Sequence, residues 1–479
     1  MAQGTLKTTT YEEGQPVRAI VIGAGQRGRI YAQYAEERPD LFQSTRGGGR
    51  AADVLAGTHD QDVRHLALTQ SPYGMTHARH PSRYSIAPEH VFVDWKDAAA
   101  VPKFADAVII ATQDAMHADP AVAFADLGYH ILLEKPMAPT KAECIRIFDA
   151  TQRNNVMLSV CHVMRCSPYS RKLRELTGLV GKVVNVQHLE PVGFWHQAHS
   201  FVRGNWRRED EATFMLMAKS CHDIDYIHFL MQKEPRAVSS FGSLVHFRKE
   251  DKPEGAADRC LDCPVEASCA YSAKRMYLND CNVDIPDVED LGDGVVRKKS
   301  TGGWYNGKVA PSTGYKAWPL EVLHENPTVE TITEALRTGP YGRCVYECDN
   351  DVVDNQVVNF QYQDGSTASF TMIAYTESQC MRKTKIFGTH GELTSDGTTI
   401  THFDFLSRVV TEYTPSKINA ASKLKGHDGA DFFLVENFVH GVRTNDPDVL
   451  MTGAAESLKS HLMVFAAEEA RLTDSVVHL

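Results

Sequence analysis

Short apolar runs alternate with amphipathic stretches over the first third of the chain. Val17-Arg-Ala-Ile-Val-Ile22 is a continuous, largely β-branched run, as expected of a strand buried on both faces. The stretch from Arg29 to Glu37 is helix-prone. Asp106 to Thr112 reads as a second buried strand, and Ala118 to Leu127 as a helix that Gly128 stops. Tyr129 to Leu133 forms the next strand. Thr140-Lys-Ala-Glu143 has the form of a capping box and opens a helix to Asn154, after which Val156 to Val160 returns to strand. Strand and helix in strict alternation predict a doubly wound, parallel α/β sheet over 15–160.

Beyond residue 160 the pattern changes. Val357-Val-Asn-Phe-Gln-Tyr-Gln363 alternates apolar and polar positions, Asp364-Gly365 supplies turn chemistry, and Ser366 to Ala374 alternates again, which predicts a hairpin. Lys383 to Leu393 and Ile400 to Leu406 add strands, and helices over Asp431 to Val442 and Ala454 to Arg471 finish the chain. The expected second domain, 161–479, is α/β with a large, mainly antiparallel open sheet. A polar, Gly- and Pro-punctuated insertion interrupts it at about 250–318.

Composition narrows the function classes. The chain has 479 residues, is 43% hydrophobic and 23% charged, and carries a net charge of −11, an ordinary balance for a multidomain globular protein. Lys and Arg are scattered rather than gathered into a stripe, so nucleic-acid binding has no electrostatic footprint. No apolar run has the length of a membrane span, and the first ten residues lack the apolar core of a signal peptide. An odd count of 11 cysteines then argues for reduced thiols in a cytoplasmic compartment.

Five groups of residues carry candidate chemistry. Gly23-Ala-Gly25-Gln26-Arg27-Gly28 stands between the first strand and first helix, where glycines permit a tight turn and close approach of backbone to a pyrophosphate at the helix N-terminus. Glu134-Lys135-Pro136 follows a buried strand and places a charged donor where a parallel sheet opens onto its ligand crevice. His222 and Asp225 lie three apart on an apparent helix, so an imidazole proton carrier and a carboxylate share one face. Trp195, His196, Arg203 and Trp206 crowd one segment, offering either stacking faces for a sugar, cyclitol or aromatic diol, or the core of a loop. Cys260-Leu-Asp-Cys263, with Cys269 and then Cys281, opens like a thiolate metal site; free thiols are the alternative.

Together Gly23-x-Gly25-x-x-Gly28, Ala111-Thr112 with His117, Glu134-Lys135-Pro136 and His222-Asp-Ile-Asp225 resemble the Gfo/Idh/MocA oxidoreductases. The resemblance implies a Rossmann domain binding NAD or NADP, through Gly23, Gly25, Gln26, Arg27, Gly28, Thr112, Gln113, His117, Glu134 and Lys135. It implies hydride transfer to or from a hydroxyl of a sugar, cyclitol or related small molecule, with Lys135 and His222 as catalytic residues and a cis Lys135–Pro136 bond. Trp195, His196, Arg203, Lys219 and Asp225 are the candidate substrate contacts. A homo-oligomer built on the open sheet is a further implication. An NAD-dependent glycosidase-like hydrolase and a non-catalytic binder are the alternatives. Many relatives carry an aspartate four residues before the histidine; Ala218 stands there, with Lys219 beside it, which raises the option of an anionic or differently oxidised substrate.

One segment departs from the resemblance. Relatives have a second strand of the type Val-Ala-Val-Ala-Glu-Pro, ending in the carboxylate that binds the adenosine ribose. Here Ser44 to Asp53 is glycine-rich, and 44–83 shows no clear period. Codons for Arg46-Gly-Gly-Gly-Arg-Ala51, read one base out of frame, can encode a run of Val and Ala, then Glu, then Pro. The expectation is an out-of-frame or intron-derived stretch over 44–83, against a natural glycine-rich insertion. On either reading the strand and its carboxylate are missing, and Asp53 and Asp60 are weak replacements.

Overall fold

The computed structural model describes residues 15–23, 25–43, 55–56, 92–278, 288–290, 295–298, 311, 318–416, 422, 424 and 426–479. The anomalous segment 44–83 lies outside the described residues except for Leu55 and Ala56, and Cys281 lies outside them too.

In the first layer β1 (Val17–Ile22) leads into α1 (Gln26–Glu37), then β2 (Phe42–Gln43) and β3 (Leu55–Ala56). After α2 (Trp95–Ala100) come β4 (Ala107–Ile110), α3 (Ala118–Asp126), β5 (His130–Leu133), α4 (Lys141–Asn154) and β6 (Leu158–Val160). The strands pair in parallel in the order β2-β1-β4-β5-β6, with β3 also on β1. Every residue of β4 and β5 is buried because helices cover both faces, which is why these strands read as unbroken apolar runs. The missing second strand needs one correction. Its place beside β1 is held by two short pieces, with Val17 opposite Phe42 and Val21 opposite Leu55, so the sheet does not end at β1.

The second layer begins with α5 (Pro168–Leu176), β7 (Val183–Pro191), α6 (Met215–Ala218), α7 (Cys221–Met231) and β8 (Pro235–Ser243). The insertion contributes α8 (Ala273–Leu278) and the paired strands β9 (Val288–Asp290) and β10 (Val296–Lys298), followed by α9 (Val329–Thr338). The remaining strands are β11 (Asn355–Tyr362), β12 (Thr367–Ile373), β13 (Lys383–Gly388), β14 (Gly391–Ser395), β15 (Ile400–Asp404) and β16 (Val410–Tyr413). Two helices, α10 (Ala430–Thr444) and α11 (Ala454–Thr473), precede the terminal β17 (Val477–His478). The nine-stranded sheet runs β16-β15-β14-β13-β7-β12-β11-β8-β17, antiparallel throughout except for the β7–β12 pair. Its inner face packs on α7 and α11. Its outer face leaves Phe241 and Val357, direct neighbours across β8 and β11, exposed.

The last two helices also reach beyond the second sheet. α10 packs against α1, while α11 lies against both α4 and α7. An isolated bridge from Ser159 to Gly453 ties the end of β6 to the residue that precedes α11. Chain from the far C-terminal region therefore joins the two layers.

Candidate active site

The glycine loop is shaped by close approach. Gly23 has φ +100°, and a Cβ there would run into the carbonyl of Ala111 on the neighbouring strand. A Cβ at Gly28 would strike the Gly23 carbonyl, whereas one at Gly25 would meet open space. Helix α1 begins at that open position with no side-chain cap and no acidic residue in its first turn, leaving its amide donors free to face an anion. Those features fit a dinucleotide pyrophosphate.

Arg27 is engaged within the protein. Its Nε donates to Glu134 at 2.6 Å, and Nη1 and Nη2 donate to the two Asp431 oxygens at 2.9 and 2.7 Å. Tyr31 donates its hydroxyl to Glu134 at 2.5 Å. Burial opposes ionisation of Glu134 and Asp431, but Arg27 holds both carboxyls below the usual range. His117 is fully buried, with Nδ1 2.8 Å from the Pro136 carbonyl and Nε2 3.2 Å from that of Thr112. It braces two crevice loops against each other, so its expected cofactor contact becomes a supporting role. Gln113 accepts from Asn205 at 3.2 Å across the crevice.

Lys135 lies after β5 at the end of a cis peptide bond to Pro136. Its amide donates to Glu134 at 3.0 Å, and its Nζ donates to the Ala218 carbonyl at 2.8 Å. The lysine thus reaches across to α6, at the position where relatives carry aspartate. A carboxylate is nonetheless near. Asp114, buried in the loop after β4, is pushed up by burial and pulled down chiefly by Lys135, with Trp206 also bonded to it. Asp114 carries no motif of its own, although it directly follows Thr112-Gln113.

The helical pattern through Lys219 to Leu230 is broken in the structure. α6 ends at Ala218, Ser220 is the N-cap of α7, and Lys219 is swung between them. His222 stands in the first turn of α7, buried, with no hydrogen-bond partner for Nδ1 among the described residues. Burial first, then Lys135, keeps its pKa well below the ordinary imidazole value, so the ring is neutral at neutral pH. It stands edge-on to His162, 5.9 Å between ring centroids, and 6.0 Å from His427.

Asp225 does not face the substrate crevice as the three-residue spacing suggested. It accepts from Arg165 Nε and Nη2 at 2.7 and 2.8 Å, and both side chains are almost wholly buried. The carboxylate turned toward the crevice wall is its neighbour Asp223, which binds Arg382 Nε at 2.7 Å and His188 Nε2 at 3.1 Å. Arg382 also lies 3.2 Å from Glu190, which in turn pairs with Lys219 Nζ at 3.2 Å. Lys219 reaches Cys380 Sγ at 3.0 Å, and Cys380 Sγ lies 3.8 Å from His196 Nδ1. His196 and Lys219 therefore join one polar wall, whose other members (Glu190, Asp223, Cys380 and Arg382) carried no local motif.

Two further expectations change. Trp195 packs against Trp318 in the apolar core beneath the insertion, so it supports the wall from behind. Arg203 is fully buried and donates to the carbonyls of Arg343 and Tyr271, facing the cysteines of the insertion and not the crevice. Cys260, Cys263 and Cys269 line one cavity there, and among the described residues the thiol that joins them is Cys344.

Comparison with known proteins agrees with this geometry. Residues 17–162 match the Gfo/Idh/MocA description "Oxidoreductase family, NAD-binding Rossmann fold", and 176–284 match "Oxidoreductase family, C-terminal alpha/beta domain". YteT of Bacillus subtilis (strain 168), which carries an oxidoreductase name, is 24% identical over 355 residues, 70% of this chain and 72% of that protein. The NADP(+)-dependent D-xylose 1-dehydrogenase of Haloarcula marismortui is 24% identical over 346 residues, 67% of this chain and 80% of its own. Among solved structures, levoglucosan dehydrogenase with NADH and levoglucosan superposes with a TM-score of 0.61 over 97% of this chain and 99% of that one, at 16% identity, a likeness of fold.

Proposed function

Since the chain belongs to the Gfo/Idh/MocA oxidoreductases and carries their NAD-binding Rossmann domain, we propose that it is a dehydrogenase of a neutral polyhydroxy substrate, a sugar or cyclitol, with Lys135 and His222 at the reacting hydroxyl. When bound, NAD(P) supplies the hydride acceptor or donor. In the oxidising direction the neutral His222 ring takes the hydroxyl proton, and the Nζ donors of Lys135 stabilise negative charge growing on the oxygen. Asp114, coupled electrostatically to Lys135, supplies the carboxylate that Ala218 does not.

The observation that carries the substrate class is the charge balance of the polar wall. Lys219 and Arg382 are matched by Glu190 and Asp223 within 3.2 Å. Among these four wall residues no surplus positive charge awaits an anion, and paired donors and acceptors suit the hydroxyls of a polyol. A homo-oligomer formed through the outer sheet face, where Phe241 and Val357 are exposed, accompanies this reading.

The test is reduction of NAD+ and NADP+ over a panel of aldoses, cyclitols, anhydrosugars and sugar acids. Turnover with neutral polyols and loss of it in Lys135→Met support the proposal. Selective turnover of sugar acids overturns the substrate class. Glycoside cleavage without net cofactor reduction favours the hydrolase, and binding without any turnover favours the non-catalytic reading.

A further inference from the structure

Arg203 presents an unresolved charge. Its side chain is fully buried, yet among the described residues no carboxylate forms an ion pair with it. Its donors go to the Arg343 carbonyl at 2.8 Å, the Tyr271 carbonyl at 2.9 Å, the Met276 sulfur at 3.8 Å and Cys260 Sγ at 3.4 Å. A buried cation without a counter-charge is costly, which favours a source of negative charge beside it. The side chain within its reach that can carry such a charge as a thiolate is Cys260, at 3.4 Å.

The chain folds so as to bring these thiols together. Arg259 and Arg343 form an isolated antiparallel bridge, and the Cys344 amide donates to Asp258 at 2.8 Å, which sets Cys260 and Cys344 side by side from segments far apart in sequence. Cys260, Cys263, Cys269 and Cys344 all line one cavity of about 230 Å³, with Arg203 in its wall. Burial pushes the Cys269 and Cys344 thiols up, offset in part by a backbone N–H from Tyr271 on the first and from Tyr346 on the second. Cys348 is turned away, donating to the Cys344 carbonyl at 3.2 Å.

We propose that Cys260, Cys263, Cys269 and Cys344 form a structural tetrathiolate zinc site, and that Arg203 is its buried counter-ion. Zinc held by four thiolates is an anion, which is the charge that Arg203 lacks. Among the described residues no three cysteine, histidine or carboxylate side chains already converge at ion-holding distance. The thiols ring the cavity, and coordination draws the two cysteine loops inward while each thiol releases its proton to solvent. The ion would pin the insertion to the segment 195–203, whose front side presents His196 to the substrate wall. This site does not depend on the hydride-transfer reading.

The test is metal analysis of the full chain purified from zinc-supplemented cells. The expected result is about one zinc per chain, a cobalt-substituted form with the absorption of a tetrahedral thiolate complex, and retention of zinc in Cys281→Ser but loss in Cys344→Ser. Arg203→Met should release zinc to a chelator at least tenfold faster. Wild-type protein without stoichiometric zinc overturns the site whether or not the variants fold. Bound iron with sulfide overturns the zinc assignment, and loss of zinc in Cys281→Ser with retention in Cys344→Ser overturns the ligand set.

Discussion

Asp225→Asn separates a structural carboxylate from a substrate ligand. The aspartate holds Arg165 with two bonds of 2.7 and 2.8 Å, with side-chain exposures of 1% and 4%. Removing one partner from such a pair leaves a buried charge unmatched and costs about 3–5 kcal/mol. Glu456 lies 3.6 Å from Arg165 but is half exposed, so it offsets part of the loss and places the expectation near the lower bound. The sign of the pH dependence follows from the carboxyl. Burial alone would raise its pKa, but Arg165 holds it at about 2. Its stabilisation is therefore present above the ordinary aspartate value and is lost as pH falls through about 2. In urea unfolding, the wild type and Asp225→Asn should differ by a near-constant amount from about pH 5 to 8, and the gap should close in strong acid. Asp225→Leu combined with Arg165→Met should recover most of the loss, because a well-packed apolar pair replaces a desolvated ionic one. A single variant as stable as wild type with a sharply raised KM would refute the burial argument and return Asp225 to the substrate.

Other perturbations probe the remaining parts of the site. Lys135→Met should lower kcat by about 10²–10³ while leaving cofactor affinity nearly unchanged, as fluorescence titration with the nicotinamide would show. Gly25→Ala should fold normally, since its Cβ meets no atom, but weaken dinucleotide binding; Gly28→Ala, which collides with the Gly23 carbonyl, should lower the melting temperature instead. Burial holds His130 and His162 at about 4 and His199 and His461 at about 3, all below the unfolded value. The unfolded chain therefore binds protons first as pH falls below about 6.5, and stability should drop by up to roughly 1.4 kcal/mol per pH unit for each such ring. A melting temperature that is flat between about pH 7 and 5 would contradict this. Lys219→Met, removing one partner of Glu190, should raise KM more than it lowers kcat in steady-state assays.

Much of the first layer was legible because its code is local. A strand buried on both faces must be apolar throughout, and β1, β4 and β5 fall within one or two residues of their apolar runs. Thr140 caps α4 as its spacing suggests, accepting from the Glu143 amide. The positions of Lys135 and His222 on the fold were legible because each stands at the end or start of such an element. Asp225 misled because helical spacing gives a shared face but not the partner that occupies it; Arg165, sixty residues away in sequence, had no visible link to it. Arg203 misled for the same reason, its neighbours coming from segments 57 and 140 residues distant. The polar wall was hidden because Glu190 and Arg382 come from an ordinary strand and the approach to another, and meet only when β7 pairs with β13.

The Arg27 network changes what the first domain is. A dinucleotide loop read from sequence looks self-contained, ending with β6. Yet the guanidinium in the first turn of α1 is neutralised half by Glu134, at the catalytic strand end, and half by Asp431, at the start of α10. Asp431 is fully buried, so the helix that carries it cannot leave without exposing two apolar faces and removing a counter-charge from the partly buried Arg27. The Arg27 ion pairs thus tie the glycine loop to the Glu-Lys-Pro turn and to α10, a coupling expected to make them unfold together. A fragment stopping near residue 160 lacks the Asp431 half of the arginine's counter-charge and the apolar surface of α10 that covers α1. Such a fragment should not bind dinucleotide even with every glycine of its loop in place. If it folds and binds NAD with the affinity of the full chain, the coupling argued from Arg27 is wrong.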